Sequence, residues 1–152
     1  MSVLFLMLAV FALLHLPGLR SLPLFGTRCD KAAAAMAAMF FFTGSDHFLN
    51  PQRYLPTMPP MLPPVALPAL IYISGLCELA GAIGLLMRRT RRWAAWGLIA
   101  LLIAIFPANI YVALSGGSIA GLPSSRWYYW ARLPIQFIFI TWAWWIAKSS
   151  DQ

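Results

Sequence analysis

Residues 65–87 read VALPALIYISGLCELAGAIGLLM, an apolar run of membrane-spanning length with one formal charge, Glu78, near its middle. A second run, residues 127–147, reads WYYWARLPIQFIFITWAWWIA and carries Arg132. An ionised side chain near the centre of a bilayer costs roughly 3 kcal/mol on insertion scales, so it normally faces protein interior and finds a partner. If the two segments pack together, Glu78 and Arg132 are the natural partners.

The composition agrees with that frame. The 152 residues are 61% hydrophobic and only 10% charged, with a mean hydropathy of +0.75. That profile describes a polytopic membrane protein folded as one domain over residues 1–152. The net charge of +7 does not point to nucleic acid, because the basic residues gather at the ends of apolar runs. There they act as topology signals and headgroup contacts. Cys29 and Cys77 form no CxxC pair and sit at different expected depths, which argues against dithiol chemistry and a cysteine metal site.

Outward from the two charged runs, apolar stretches cover residues 32–49 and 93–114, and each suits a helix. No alternating pattern of strand length occurs. An additional N-terminal hydrophobic helix is expected within residues 1–19; its apolar part, about 16 residues, would span only ~24 Å. It lacks a basic n-region, so it reads as an uncleaved anchor. Arg20, Arg28, Lys31, Arg88, Arg89, Arg91, Arg92 and Lys148 fall on one side of a five-helix path, against Arg53 and Arg126 on the other. The positive-inside rule then puts the C-terminus in the cytoplasm and the N-terminus outside. Between the second and third helices runs NPQRYLPTMPPMLPPVALP, residues 50–68, which cannot continue as regular helix. Asn50 and Pro51 suit a cap and first position of a short helix. The remainder reads either as a lid over the outer face or as a stiff connector among headgroups.

The polar residues inside the apolar frame are few. Asp46 and His47 end the second helix, Ser74 and Glu78 share a face of the third, Asn109 lies on the fourth, and Arg132 and Gln136 share a face of the fifth. At ~1.5 Å per residue Glu78 lies about 16 Å below the outer end of its helix and Arg132 about 8 Å below its own. The long Arg132 side chain reaches deeper, so convergence of all but His47, which lies nearer the rim, is expected in the outer half of the bundle. Pro107 and Pro134 would free the carbonyls of Ile103 and Trp130, which need buried partners. The set reads as a partly polar pocket or as an inter-helical clasp. Two distant histidines make neither a zinc nor a haem site. Gly81 and Gly84, and Ala100, Ala104 and Ala108, read as close-packing positions.

The segments GSDHFLNPQRYLPTMPP, ISGLCELAGAIGLL, TRRWAAWGLIALLIAIFPANIY and ARLPIQFIFITWAWW resemble the DoxX-like family of small bacterial integral membrane proteins. The resemblance covers residues 32–147. It implies an all-α four-helix transmembrane bundle, to which the N-terminal helix is an addition, and it places His47, Pro51, Glu78, Asn109, Arg132 and Gln136 at the family's polar positions. It further implies a multi-pass location in a bacterial inner membrane and a link to oxidoreductase systems that use quinones. The function expected is binding of a quinone, quinol or similar small lipophile as part of such a system. Glu78 and His47 would be the catalytic, proton-handling residues, and Arg132, Asn109, Gln136, Asp46 and Ser74 would bind the ligand. A quinone is the one cofactor class suggested, and the expected partners are the lipid bilayer, the lipophile and membrane or oxidoreductase subunits. A small proton-coupled transporter and a non-catalytic assembly subunit are the alternatives.

Overall fold

A computed structural model describes residues 2–16, 25–60, 63–116 and 125–150, and among these there is no strand. The helices are α1 (Ser2–Leu13), α2 (Arg28–Leu49), α3 (Leu67–Leu86), α4 (Arg91–Ser115) and α5 (Arg126–Ser149), with single 3₁₀ turns at Pro51–Arg53, Leu55–Thr57 and Pro64–Ala66. Arg20 and residues 61–62 of the proline run lie outside the described residues.

Local chemistry sets the ends of these helices. Thr27 caps α2 through its side chain on the Asp30 backbone N–H, and the Asp30 carboxylate returns the bond to the Thr27 N–H. That reciprocal box satisfies two of the orphan donors of a helix start. Ser125 caps α5, and α4 ends at Gly116, whose φ of 69° lies in the left-handed region that glycine adopts without strain. Pro107 and Pro134 sit inside continuous α4 and α5.

Helices α2 to α5 close a four-membered ring. α3 packs between α2 and α4, and α5 packs between α4 and α2, so α3 and α5 stand diagonally opposite. α2 is the most enclosed. Its alanines Ala32, Ala33, Ala34, Ala35 and Ala37 are buried, which lets its neighbours approach closely. α1 packs on α2 with Met7 fully buried, and Phe11 meets Trp142 of α5 edge to face at 5.1 Å. With 12 residues, α1 is only ~18 Å long, well short of a ~30 Å hydrocarbon core.

Two segments, Pro64–Leu86 and Arg91–Ser115, are long and apolar enough to cross a membrane. Only 33% and 28% of their most apolar stretches are buried, so most of that surface faces outward, unlike the core helix of a soluble domain. Phe41, Phe42, Ile83, Trp93, Trp127 and Phe137 are exposed as well. Exposed apolar area on this scale indicates association with a membrane. The expected small-residue contacts hold in part. A Cβ at Gly81 would press on Leu98 and one at Gly84 on Ala94, whereas Ala100 and Ala104 are exposed and Ala108 faces a cavity.

At the end of the ring where α2 and α4 begin and α3 finishes, Asp30 accepts from Arg91 at 2.8 Å and from Arg88 at 3.0 Å. Arg91 also donates to the Leu85 carbonyl. Burial pushes the Asp30 carboxyl upward, but the Arg91 hydrogen bond, the Thr27 donors and the Arg91 charge together outweigh it and hold the group at about 2. A drop from 3.8 to about 2 is worth roughly 2 kcal/mol to the folded state at neutral pH. Because the folded value is depressed, that stabilisation is complete above the ordinary value and is lost as pH falls through about 2. Asp30→Asn is therefore expected to lower the melting temperature in detergent by about 5 °C at pH 7. The gap between variant and parent should close as the melt is repeated at pH 3 and below.

Candidate functional site

The site is organised by a close crossing of α2 and α3. A Cβ added at Gly44 would lie 3.0 Å from the Gly75 carbonyl oxygen, and one at Gly75 would lie 2.6 Å from Cβ of His47. Only glycine allows the backbones to come this near. The crossing brings Thr43 and His47, one turn apart on α2, level with Ser74 and Glu78 on α3. Thr43 Oγ1 donates to Glu78 Oε2 at 2.5 Å, and His47 Nε2 stands 3.8 Å from Glu78 Oε1. Glu78 and His47 are both buried.

The His47 ring is fixed from both sides. Nδ1 lies 3.1 Å from the Ile71 carbonyl oxygen, which can only accept, so Nδ1 carries a hydrogen. Ser74 Oγ donates to the same carbonyl and sits 3.2 Å from Nδ1. The Tyr54 ring stacks on the imidazole with centroids 4.0 Å apart. In the neutral ring Nε2 is then the lone-pair nitrogen, and it is the one that faces Glu78. A proton can rest on either group of this pair.

Asp46 anchors the segment that follows α2. Its carboxylate accepts from Tyr54 Oη at 2.8 Å, from Asn50 Nδ2 at 2.6 Å and from Arg53 Nη1 at 3.3 Å. Burial first, then the hydrogen bond to Asp46, pushes the Tyr54 phenol above its ordinary value and keeps it a neutral donor. Asn50 thus spends its side chain on Asp46 and makes no side-chain cap on the 3₁₀ turn that Pro51 opens. On the opposite wall Asn109 donates to Gln136 at 2.8 Å, and Gln136 donates to the Leu102 carbonyl. The acceptor lies one residue before Ile103, the carbonyl that Pro107 was expected to free.

A cavity of about 430 Å³ lies between these groups. All seven residues singled out from the sequence line it: Glu78, His47, Arg132, Asn109, Gln136, Asp46 and Ser74. Met39, Phe40, Leu102, Ile105, Ile135 and Phe139 give it apolar walls, and Arg53, Tyr54, Thr57 and Met58 close part of it as a lid would. Among the described residues no group of three or more His, Cys, Asp or Glu could hold a metal ion.

Two expectations change. Glu78 pairs with His47 and Thr43, and Arg132 makes no ion pair or hydrogen bond with any described residue. The reason is topological, since α3 and α5 are diagonal in the ring and the cavity lies between them. His47, expected nearer the rim, stands against Glu78 because the close α2–α3 crossing carries it inward, and Thr43 and Tyr54 join the site without having been expected there. Thr43 lies four residues before His47, hence on the same helix face, and that spacing was the available signal.

The glycine crossing can be tested against an internal control. Gly75→Ala should destabilise the protein by about 1–3 kcal/mol, because its Cβ must displace His47. Gly97→Ala on α4 meets nothing within 4 Å and should be neutral or stabilising by up to ~1 kcal/mol through helix propensity. Thermal melts of the two variants beside the parent decide this, and equal shifts would remove the steric argument.

Residues 36–147 match the family described as Domain of unknown function (DUF8561). No curated protein and no solved structure matches the chain.

Proposed function

For a chain that belongs to the DUF8561 family, whose description assigns no activity, we propose the function of a multi-pass inner-membrane protein that binds a quinone, quinol or similar lipophile. The observation that carries this reading is the cavity itself. Apolar walls enclose a small number of convergent polar groups, among them a carboxylate facing an imidazole nitrogen, which is the usual make-up of a small-molecule site. The DoxX-like resemblance of residues 32–147 supports the choice of a quinone-type ligand and of an oxidoreductase system around it.

In this reading α2 to α5 all cross the bilayer. Gly44, Ser45, Asp46 and His47 dilute the apolarity of α2, and Arg132 with the tryptophans dilutes that of α5, so the two helices that carry much of the polar site are the two that look least like spans. The basic end, with Arg28, Lys31, Arg88, Arg89, Arg91, Arg92 and Lys148, faces the cytoplasm. The cavity then lies toward the outer surface. Quinone oxygens accept hydrogen bonds, and Arg132 and Asn109 offer donors. Glu78 and His47 exchange the proton that accompanies a change between quinone and quinol, and Asp46 holds Tyr54 and the lid over them. In this reading a partner subunit of the oxidoreductase system supplies the electrons.

Mass spectrometry of the organic extract from protein purified in mild detergent tests the reading. A quinone or other lipophile is expected to be enriched several-fold with the parent over Glu78→Gln and Arg132→Leu variants that melt normally. Equal extracts from all three proteins would count against a ligand cavity and favour a role in holding the helices together.

A further inference from the structure

We infer that the cavity is built for a lipophilic weak acid, held as its anion by Arg132 while its proton passes to Glu78; this rests on reading the cavity as a lipophile site. Seven titratable groups face the space. They are Asp46 and His47 from α2, Arg53 and Tyr54 from the following turns, Glu78 from α3, and Tyr128 and Arg132 from α5. α4 contributes only the neutral Asn109 among hydrogen-bonding side chains. Asp46 is neutralised within this set by Arg53, with Tyr54 and Asn50 as further donors. Glu78 is met by Thr43 and His47.

Arg132 is the exception. It is half-buried and in the cavity wall, yet it has no acceptor among the described residues. A guanidinium cannot shed its proton in a protein, so this half-buried one keeps its charge in the cavity wall with its donors open to an acceptor that enters the space. Asn109 and Gln136, its neighbours round the cavity, are engaged with each other and with the Leu102 carbonyl, so neither is committed to it.

Charge conservation then selects the ligand. A neutral acid can arrive from lipid without the cost of carrying a charge. Inside, its O–H bond breaks and an O–H bond forms on the Glu78 carboxylate, while the electron pair stays on the ligand oxygen beside Arg132. The negative charge has moved from the α3 wall to the α5 wall, and the net charge of the cavity is unchanged. A neutral alcohol with no acidic proton would leave Arg132 without an anionic partner. An amine would place a second cation beside it. The apolar side chains Leu102, Ile105, Ile135 and Phe139 accept the hydrocarbon body in either case, so the head group decides affinity.

The full chain in detergent can be titrated calorimetrically with decanoate, decanol and a neutral decyl-substituted quinone at pH 7, with concentrations corrected for micellar partition. Decanoate is expected to bind at least tenfold more tightly than decanol. Arg132→Gln should bring the two within about twofold, and Arg132→Lys should keep part of the preference. Repeating the titration in buffers of different ionisation enthalpy should show uptake of close to one proton with decanoate, and none in Glu78→Gln. Equal binding of acid and alcohol by the parent, or an acid preference that survives Arg132→Gln, overturns the inference. If the quinone or decanol binds while the acid has no advantage, the lipophile site stands and the weak-acid assignment falls. If none of the three binds, the site and the inference fail together.

Discussion

The crossing of α2 over α3 at Gly44 and Gly75 is the constraint on which the rest of the polar architecture depends. Hydrogen bonds lose strength within a few tenths of an ångström, so a carboxylate on one helix can serve a hydroxyl and an imidazole on another only if the backbones are held at a fixed, short separation. Two glycines in contact provide that separation, and everything one turn along follows from it: Thr43 on Glu78, His47 beside Glu78, and Ser74 with the Ile71 carbonyl on the far nitrogen. Larger residues at these two positions would spread the helices and leave Glu78 buried without its donor, a costly state for a carboxylate.

The chain treats its buried charges in two contrasting ways. At the basic end Asp30 is enclosed by Arg91, Arg88 and the Thr27 cap, so that its charge is matched and its oxygens are occupied. That is a closed arrangement, and its consequence is stability. In the cavity the opposite holds, since the Glu78 and Arg132 charges lie on diagonal helices with empty volume between them and are not matched to each other. An arrangement optimised only for packing would have brought them together or replaced them with apolar side chains of like volume. Their separation leaves each charge to the groups on its own side of the cavity, and for Glu78 these are Thr43 and His47.

Much of this was legible in the sequence, and the parts that were not share a cause. Apolar runs gave the helices, and the isolated polar residues within them gave the cavity lining, because in a chain this apolar each such residue needs a reason to be there. The pairing was misread. Opposite charges on two helices suggest a bond, but helix order in the ring decides which faces meet, and nothing in residues 65–87 or 127–147 says that α3 and α5 are diagonal. Asp30 was passed over although the Thr27 to Asp30 spacing is a helix-start signature, because it stands among basic residues that read first as a topology signal. Tyr54 was hidden within a proline-rich stretch whose conformation no periodicity describes.

The short helix α1 finds its reason in the same cavity. It is too short to span and lies outside the residues 36–147 that match the family, so the ring of α2 to α5 does not depend on it for its topology. Yet Val3 lines the cavity, Met7 is fully buried, and Phe11 reaches Trp142 of α5 while the helix as a whole packs on α2. α1 therefore bridges α2 and α5, covering the seam where the ring closes and adding a wall on the side that would otherwise open to lipid.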